Sequence, residues 1–193
     1  MRPVGKAATA LALAGVTLAG TAGTAWASCG QADHPVAASA SACATGWGSG
    51  LESAPQHVAE PLTNIRAGQH DCFDRVVFDV AGASGPAGYR VGYVSAFRQD
   101  ATGTVIPVAG GAILEIFVNA PSYDPNTGGV VYPGIPGRSL PGVSLSGYRT
   151  FKDTKFGSSY EGRTQVAVGV RARLPFRVLQ YGDKVVVDVA HTW

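Results

Sequence analysis

Apolar residues in this chain nowhere recur convincingly at the spacing of an amphipathic helix, although 148–158 could hold one helical turn. Without helices to carry an apolar stripe, the chain must bury its hydrophobic side chains by alternation along strands. No apolar run reaches the roughly 20 residues that cross a bilayer, so no membrane-spanning helix is expected. Charge is also scarce, at 15% of residues, and Lys and Arg nowhere cluster into a basic run. Nucleic acid is therefore not an expected partner.

The signatures of catalysis are thin as well. Gly-x-Ser-x-Gly is missing, since Gly142-Val143-Ser144-Leu145-Ser146 fails at its last position. A zinc hydrolase needs three protein ligands and an open position. His34 and His57 lie in or near a flexible tether at 28–45, and His70, Asp71 and His191 could meet only if distant strands were neighbours. Two exposed histidines at strand ends are the preferred reading. The stretch from Asp124 to Gly129 starts like a calcium loop, but Ile135 stands where the bidentate Glu belongs. No enzyme, metal or cofactor is expected.

The first 27 residues read as a secretion leader. Arg2 and Lys6 precede a short apolar core at 10–19, and Ala25-Trp26-Ala27 fits the small-x-small cleavage rule. Loss of Arg2 and Lys6 takes the 15 Lys+Arg to 13, equal to the 13 Asp+Glu. Residues 28–45 are rich in Ala and Ser and cannot bury enough surface to offset their ordering entropy. They read as a flexible tether ahead of one domain at 46–193, expected to be monomeric and secreted. Of the three cysteines, Cys43 and Cys72 are expected to pair, stapling the segment before the domain to a core strand. Cys29 is left over. Acylation there would give a lipoprotein, but Trp26 stands where a lipobox has Leu, and free secretion is expected.

Within the domain one pattern occurs twice. Asp74-Arg75-Val76-Val77-Phe78-Asp79-Val80 and Asp183-Lys184-Val185-Val186-Val187-Asp188-Val189 share the template Asp, base, Val, Val, apolar, Asp, Val. A companion strand is expected beside each copy, at 89–93 and 176–181. Two such copies point to quasi-symmetric halves. Strands are expected at 62–66, 73–80, 89–97, 113–119, 164–172, 176–181 and 184–191. Residues 113–118 are apolar on both faces apart from Glu115, the mark of a central strand. Residues 81–88 read as a tight turn between paired strands. Residues 120–147 form a long irregular connection of the kind that carries function. The fold class is all-β, an antiparallel β-sandwich, with a partly closed barrel as its variant.

Thr63-Asn64-Ile65-Arg66 followed by the first repeat strand resembles the opening of AMIN-type modules, where a strand ending in Arg leads into an Arg-Val-Val-hydrophobic-Asp strand. The closing repeat strand is similar to that family's terminal strand, with Lys184 in place of Arg. A longer ordered set resembles, more closely, the AMIN-like domain of secreted actinobacterial proteins. It comprises Cys43, Trp47-Gly48-Ser49, Gly68 through Arg75, Tyr160-Glu161-Gly162, Pro175-Phe176-Arg177-Val178 and Asp188-Val189-Ala190-His191. The resemblance implies a symmetric β-sandwich and a non-catalytic role at the cell envelope, with peptidoglycan or another wall component as ligand.

Wall glycans are gripped by aromatic faces, and their peptide stems add carboxylates that arginine can pair. Tyr123 and Tyr132 on the long connection are candidates for the first task, with packing onto the sandwich as the alternative. Arg66, Arg75 and Arg149 are candidates for the second. A cross-strand pair with Asp79 or Asp188 is the preferred reading of Arg75. A protein–protein adaptor using an edge strand or the long connection, and a carrier of a small apolar ligand, are the rival functions.

Overall fold

The computed structural model describes Cys43 and residues 45–193. The leader, Cys29 and all of the tether except Cys43 and Thr45 lie outside these residues. Among them nine strands form: β1 (Glu52–Ala54), β2 (Asn64–Gln69), β3 (Phe73–Asp79), β4 (Tyr89–Val94), β5 (Ala112–Val118), β6 (Phe151–Tyr160), β7 (Arg163–Val170), β8 (Phe176–Tyr181) and β9 (Lys184–Ala190). They make two antiparallel sheets, β1-β4-β5-β7-β6 and β2-β3-β9-β8. Each sheet keeps two edges, so the fold is a sandwich and not a closed barrel.

The period-two pattern decides which side chains face inward. Val76 and Phe78 of β3, with Val185, Val187 and Val189 of β9, meet Val91, Leu114, Ile116, Val166 and Val168 of the opposite sheet in one buried cluster. Each such side chain stabilises the fold by about 1.5–3 kcal/mol relative to exposure. β5 lies between β4 and β7, the central position expected of it.

Two expectations need correction. β4 does not accompany β3; it pairs β1 and β5 in the other sheet, so residues 81–88 cross between sheets instead of closing a hairpin. The repeat strand β3 pairs β2 and β9. The stretch suspected of a helical turn belongs instead to the ten-residue strand β6. Register shifts between Phe151 and Asp153 and between Phe156 and Ser158 break its alternation, which hid it from a period-two reading.

The edges and outer faces are unequally covered. The long connection after β5 runs back along β6, where Phe156 N–H donates to the Arg138 carbonyl and Gly137 N–H to that of Phe156. Its Leu140 and Tyr132 are buried in the core. At the β8 edge, Phe176 N–H donates to the Gly48 carbonyl and Val178 N–H to the Glu52 carboxylate. Burial pushes the Glu52 carboxyl above the ordinary range despite that bond. These contacts blunt two edges that would otherwise invite pairing. The connection after β4 folds Phe97 and Ile106 over Ala167 and Ile113 on the outer face of the five-stranded sheet. The outer face of the four-stranded sheet carries a trough.

Candidate functional site

The trough follows from the pairing of the two repeat strands. β3 and β9 run antiparallel with Val77 opposite Val186, the fourth position of one copy against the fourth of the other. Arg75 therefore opposes Asp188, and Asp79 opposes Lys184. The flanking strands extend each row: Gly68 beside Arg75, Arg66 beside Val77, Leu179 beside Val186, Tyr181 beside Lys184 and Arg177 beside Asp188.

Three rows thus cross the outer face. The middle row is Arg66, Val77, Val186 and Leu179. On one side lies Gly68, Arg75, Asp188 and Arg177, and on the other Asn64, Asp79, Lys184 and Tyr181. Successive rows are about 7 Å apart along the strands, and the span from Val77 to Leu179 is roughly 10 Å. The resulting concavity holds about 410 Å³. Its floor is Val77 and Val186, 3% and 7% exposed, with Leu179 and Tyr181 rising at the β8 end to 38% and 80%.

The walls are networks of charge. Arg75 grips Asp188 through Nε and Nη2, at 2.6 and 2.9 Å, and Arg177 reaches the same carboxylate at 2.9 Å. Asp188 is wholly buried between them. Hydrogen bonds to Asp188 hold the Arg75 guanidinium above the ordinary arginine range. Across the trough, Arg66 forks onto Asp79 at 2.9 and 3.3 Å. Lys184 lies 3.8 Å from Asp79 and also bonds Asp183. That bond raises the Lys184 ammonium and holds the Asp183 carboxyl low. Four cations meet three carboxylates, so the trough keeps a positive balance.

Behind the Arg75 row the aromatic rings are already occupied. Arg177 lies 4.3 Å over the Trp47 ring, Arg75 5.2 Å over Phe73, and His70 stacks on Phe73 at 4.4 Å. The disulfide Cys43–Cys72, with Cα atoms 4.9 Å apart, ties the Trp47 segment to the start of β3. That pairing is the one expected from the sequence.

A second, smaller hollow of about 190 Å³ adjoins the first at His70 and is lined by Gln69, Asp71, Asp74, Arg149 and His191. The repeat strands do neighbour each other, and they bring His191 to this end, where it is buried and not the exposed strand-end histidine expected. Its Nε2 lies 3.1 Å from Asp74 Oδ1 and its Nδ1 3.1 Å from the Asp71 carbonyl. Both ring nitrogens face acceptors. Asp74 is wholly buried and also accepts the backbone N–H groups of Thr150 and Phe151. Its carboxylate therefore pins the start of β6 to β3. Among the described residues no group of three or more His, Cys, Asp and Glu side chains is placed to hold a metal ion.

The structure brings Arg66 and Arg75 to one trough and Arg149 to the adjoining hollow, where its Nη1 donates to the Asp71 carbonyl at 3.3 Å. Tyr123 stands elsewhere, bridged to Val130 in the long connection beside β6. Tyr132 is buried, with its hydroxyl donating to the Pro141 carbonyl and its ring against Phe156. It packs the connection onto the sandwich, the alternative weighed for it. Gly68, Leu179, Tyr181 and Lys184 were missed as site residues. The signal for Lys184 was present, because it holds the same template position as Arg75. Gly68 and Tyr181 depend on the register of β2 and β8.

No curated protein and no solved structure matches this chain. One family model does, that of the AMIN-like domain, over residues 60–191.

Proposed function

The chain belongs to the AMIN-like domain family, a family of envelope-related, generally non-catalytic binding modules, and we propose that it binds peptidoglycan through the outer face of its four-stranded sheet. The observation that carries this reading is the trough between the Arg75 and Lys184 rows. It combines an aliphatic floor with fixed cations on an uncovered face, while the corresponding face of the other sheet is covered in part by its own chain. The leader, the tether and release from the cell belong to the same reading, as does action without catalysis or cofactor. The protein would act outside the cytoplasm as a monomer, its disulfide holding the Trp47 segment behind the trough wall.

Co-sedimentation of the full chain with purified sacculi stripped of accessory polymers tests it. Saturable pelleting that falls for Arg66→Ala and Tyr181→Ala, with folding intact, is the expected result. Tyr123 stands apart from the trough, so loss on Tyr123→Ala alone would move the site to the long connection. No pelleting at all would reject a wall ligand and turn the search to protein or lipid partners.

A further inference from the structure

The two-fold relation between the repeat strands is broken at the two ends of the trough, and the break has chemical content. Arg66 on β2 and Leu179 on β8 occupy equivalent positions, each beside a central valine. Gly68 and Tyr181 are equivalent in the same way, beside Arg75 and Lys184. One end is therefore cationic and lacks a side chain, and the other is apolar and carries an exposed ring. Two guanidiniums share the one carboxylate of Asp188, which leaves the Arg75 row in positive excess.

Above Gly68 there is an open slot. A Cβ built on Gly68 would meet nothing nearer than His70 Nε2, at 3.9 Å. The slot is bordered by His70 and by Arg75 on the adjacent strand. An anion there has a ring N–H and a guanidinium within reach, and charge-assisted bonds of this kind are the strong ones.

The remaining surface discriminates between the components of a wall polymer. Sugars are held by free aromatic faces, yet the Trp47 and Phe73 rings are covered by Arg177, Arg75 and His70. Only Tyr181 offers an exposed ring at the trough. An acyl chain would lie half in water on a shallow floor of roughly 10 Å. A short chain with methyl-sized side groups and a terminal carboxylate matches the length, the floor and the charge.

We infer that the trough binds the peptide stem of the wall polymer, with the stem's terminal carboxylate above Gly68 and its methyl groups on Val77, Val186 and Leu179. This rests on the wall-binding reading and says which part of the wall is read. Binding forms hydrogen bonds and ion pairs alone; no covalent bond changes.

The test uses the full chain with intact sacculi, with the soluble glycan strands left when an amidase removes every stem, and with a synthetic stem tetrapeptide ending in D-alanine or in D-alanine amide. The inference expects pelleting with intact sacculi that the soluble stem-free strands do not compete away. It expects competition by the acid peptide, and binding roughly ten- to hundred-fold weaker for the amide. Gly68→Val fills the slot with a residue suited to a strand, and should lose peptide binding by a similar factor with its circular dichroism unchanged. Should that variant unfold, chemical-shift mapping of the acid peptide on the native chain replaces it, with shifts expected at Gly68, His70 and Leu179. Competition by the stem-free strands and none by the acid peptide would overturn the inference and leave wall binding standing. Peptide shifts in the trough without pelleting would leave the trough a site for a peptide carboxylate, reject the wall polymer as its ligand and so overturn the inference. Neither pelleting nor shifts would reject both.

Discussion

Val77 and Val186 face each other across β3 and β9, and the two copies of the repeated strand are related by a two-fold axis through that pair. When a seven-position strand pairs antiparallel with its own copy about the fourth position, the second position of each must oppose the sixth of the other. The template puts a base at the second and Asp at the sixth. Arg75 with Asp188 and Lys184 with Asp79 are thus one interaction made twice, and each Asp draws a second cation from a flanking strand.

The two copies differ in burial, and their energetics should differ accordingly. Asp188→Asn leaves two guanidiniums around a buried neutral amide and should destabilise the fold by about 2–4 kcal/mol. Asp79→Asn acts on a more exposed cluster and should cost about 1 kcal/mol or less. Urea midpoints at unchanged slope measure both. Equal losses would show that burial of Asp188 does not govern its contribution.

The Cys43–Cys72 bridge closes a separation of 29 residues. Its reduction should lower stability by about 3–4 kcal/mol through the freedom returned to the unfolded chain. Denaturation with and without reductant gives the figure. A Cys43→Ser variant should match the reduced protein and show no further response to reductant.

Alkaline pH should unfold the protein through its tyrosines. Burial holds Tyr132, Tyr93, Tyr89 and Tyr148 above the ordinary value of 10.0. The unfolded chain releases these protons near that value while the folded chain keeps them. The stabilisation is therefore complete below pH 10 and is lost as pH rises beyond it. Tyr132 is the most strongly displaced of them, so Tyr132→Phe should flatten the decline by up to about 1.4 kcal/mol per pH unit. An unchanged slope between roughly pH 10 and 11.5, where the folded chain keeps the Tyr132 proton and the unfolded chain has lost it, would contradict the assignment.

Gly134 sets how closely the long connection lies on β6. A Cβ there would come within 2.2 Å of the Phe156 ring. Gly134→Ala should cost about 1–3 kcal/mol by overpacking. Hydrogen exchange should rise at the Phe156 and Leu140 amides, which bond across that contact. Protection unchanged at both would show that the connection accommodates the methyl without lifting.

Strand alternation was readable wherever one face of a strand meets the core without interruption, as in β3, β7 and β9, while β5 was legible as a run apolar on both faces. It failed at β6, where two bulges shift the period, and at β1, where Glu52–Ala54 is too short to show one. The sheet of β4 was unreadable for another reason. Local sequence sets which face of a strand is apolar, but the connection between β3 and β4, residues 80–88, reaches either sheet. Arg66 and Arg75 were legible as outward residues, which the structure brings to one trough, because the outward positions of a strand follow from its inward ones. Tyr132 was ambiguous because an aromatic in a loop packs or protrudes according to what lies beneath it, here Phe156.

The sequence by itself determined the β class, the disulfide, the family resemblance and the repeated strand, since each depends on residues close in the chain or on composition. Tertiary structure alone decided that the two copies pair with each other, which makes Arg75 a partner of Asp188 instead of Asp79. It also set Gly68 and Tyr181 at opposite ends of one trough. Those placements depend on register between strands more than a hundred residues apart, and that register is fixed by how two apolar faces close on one core.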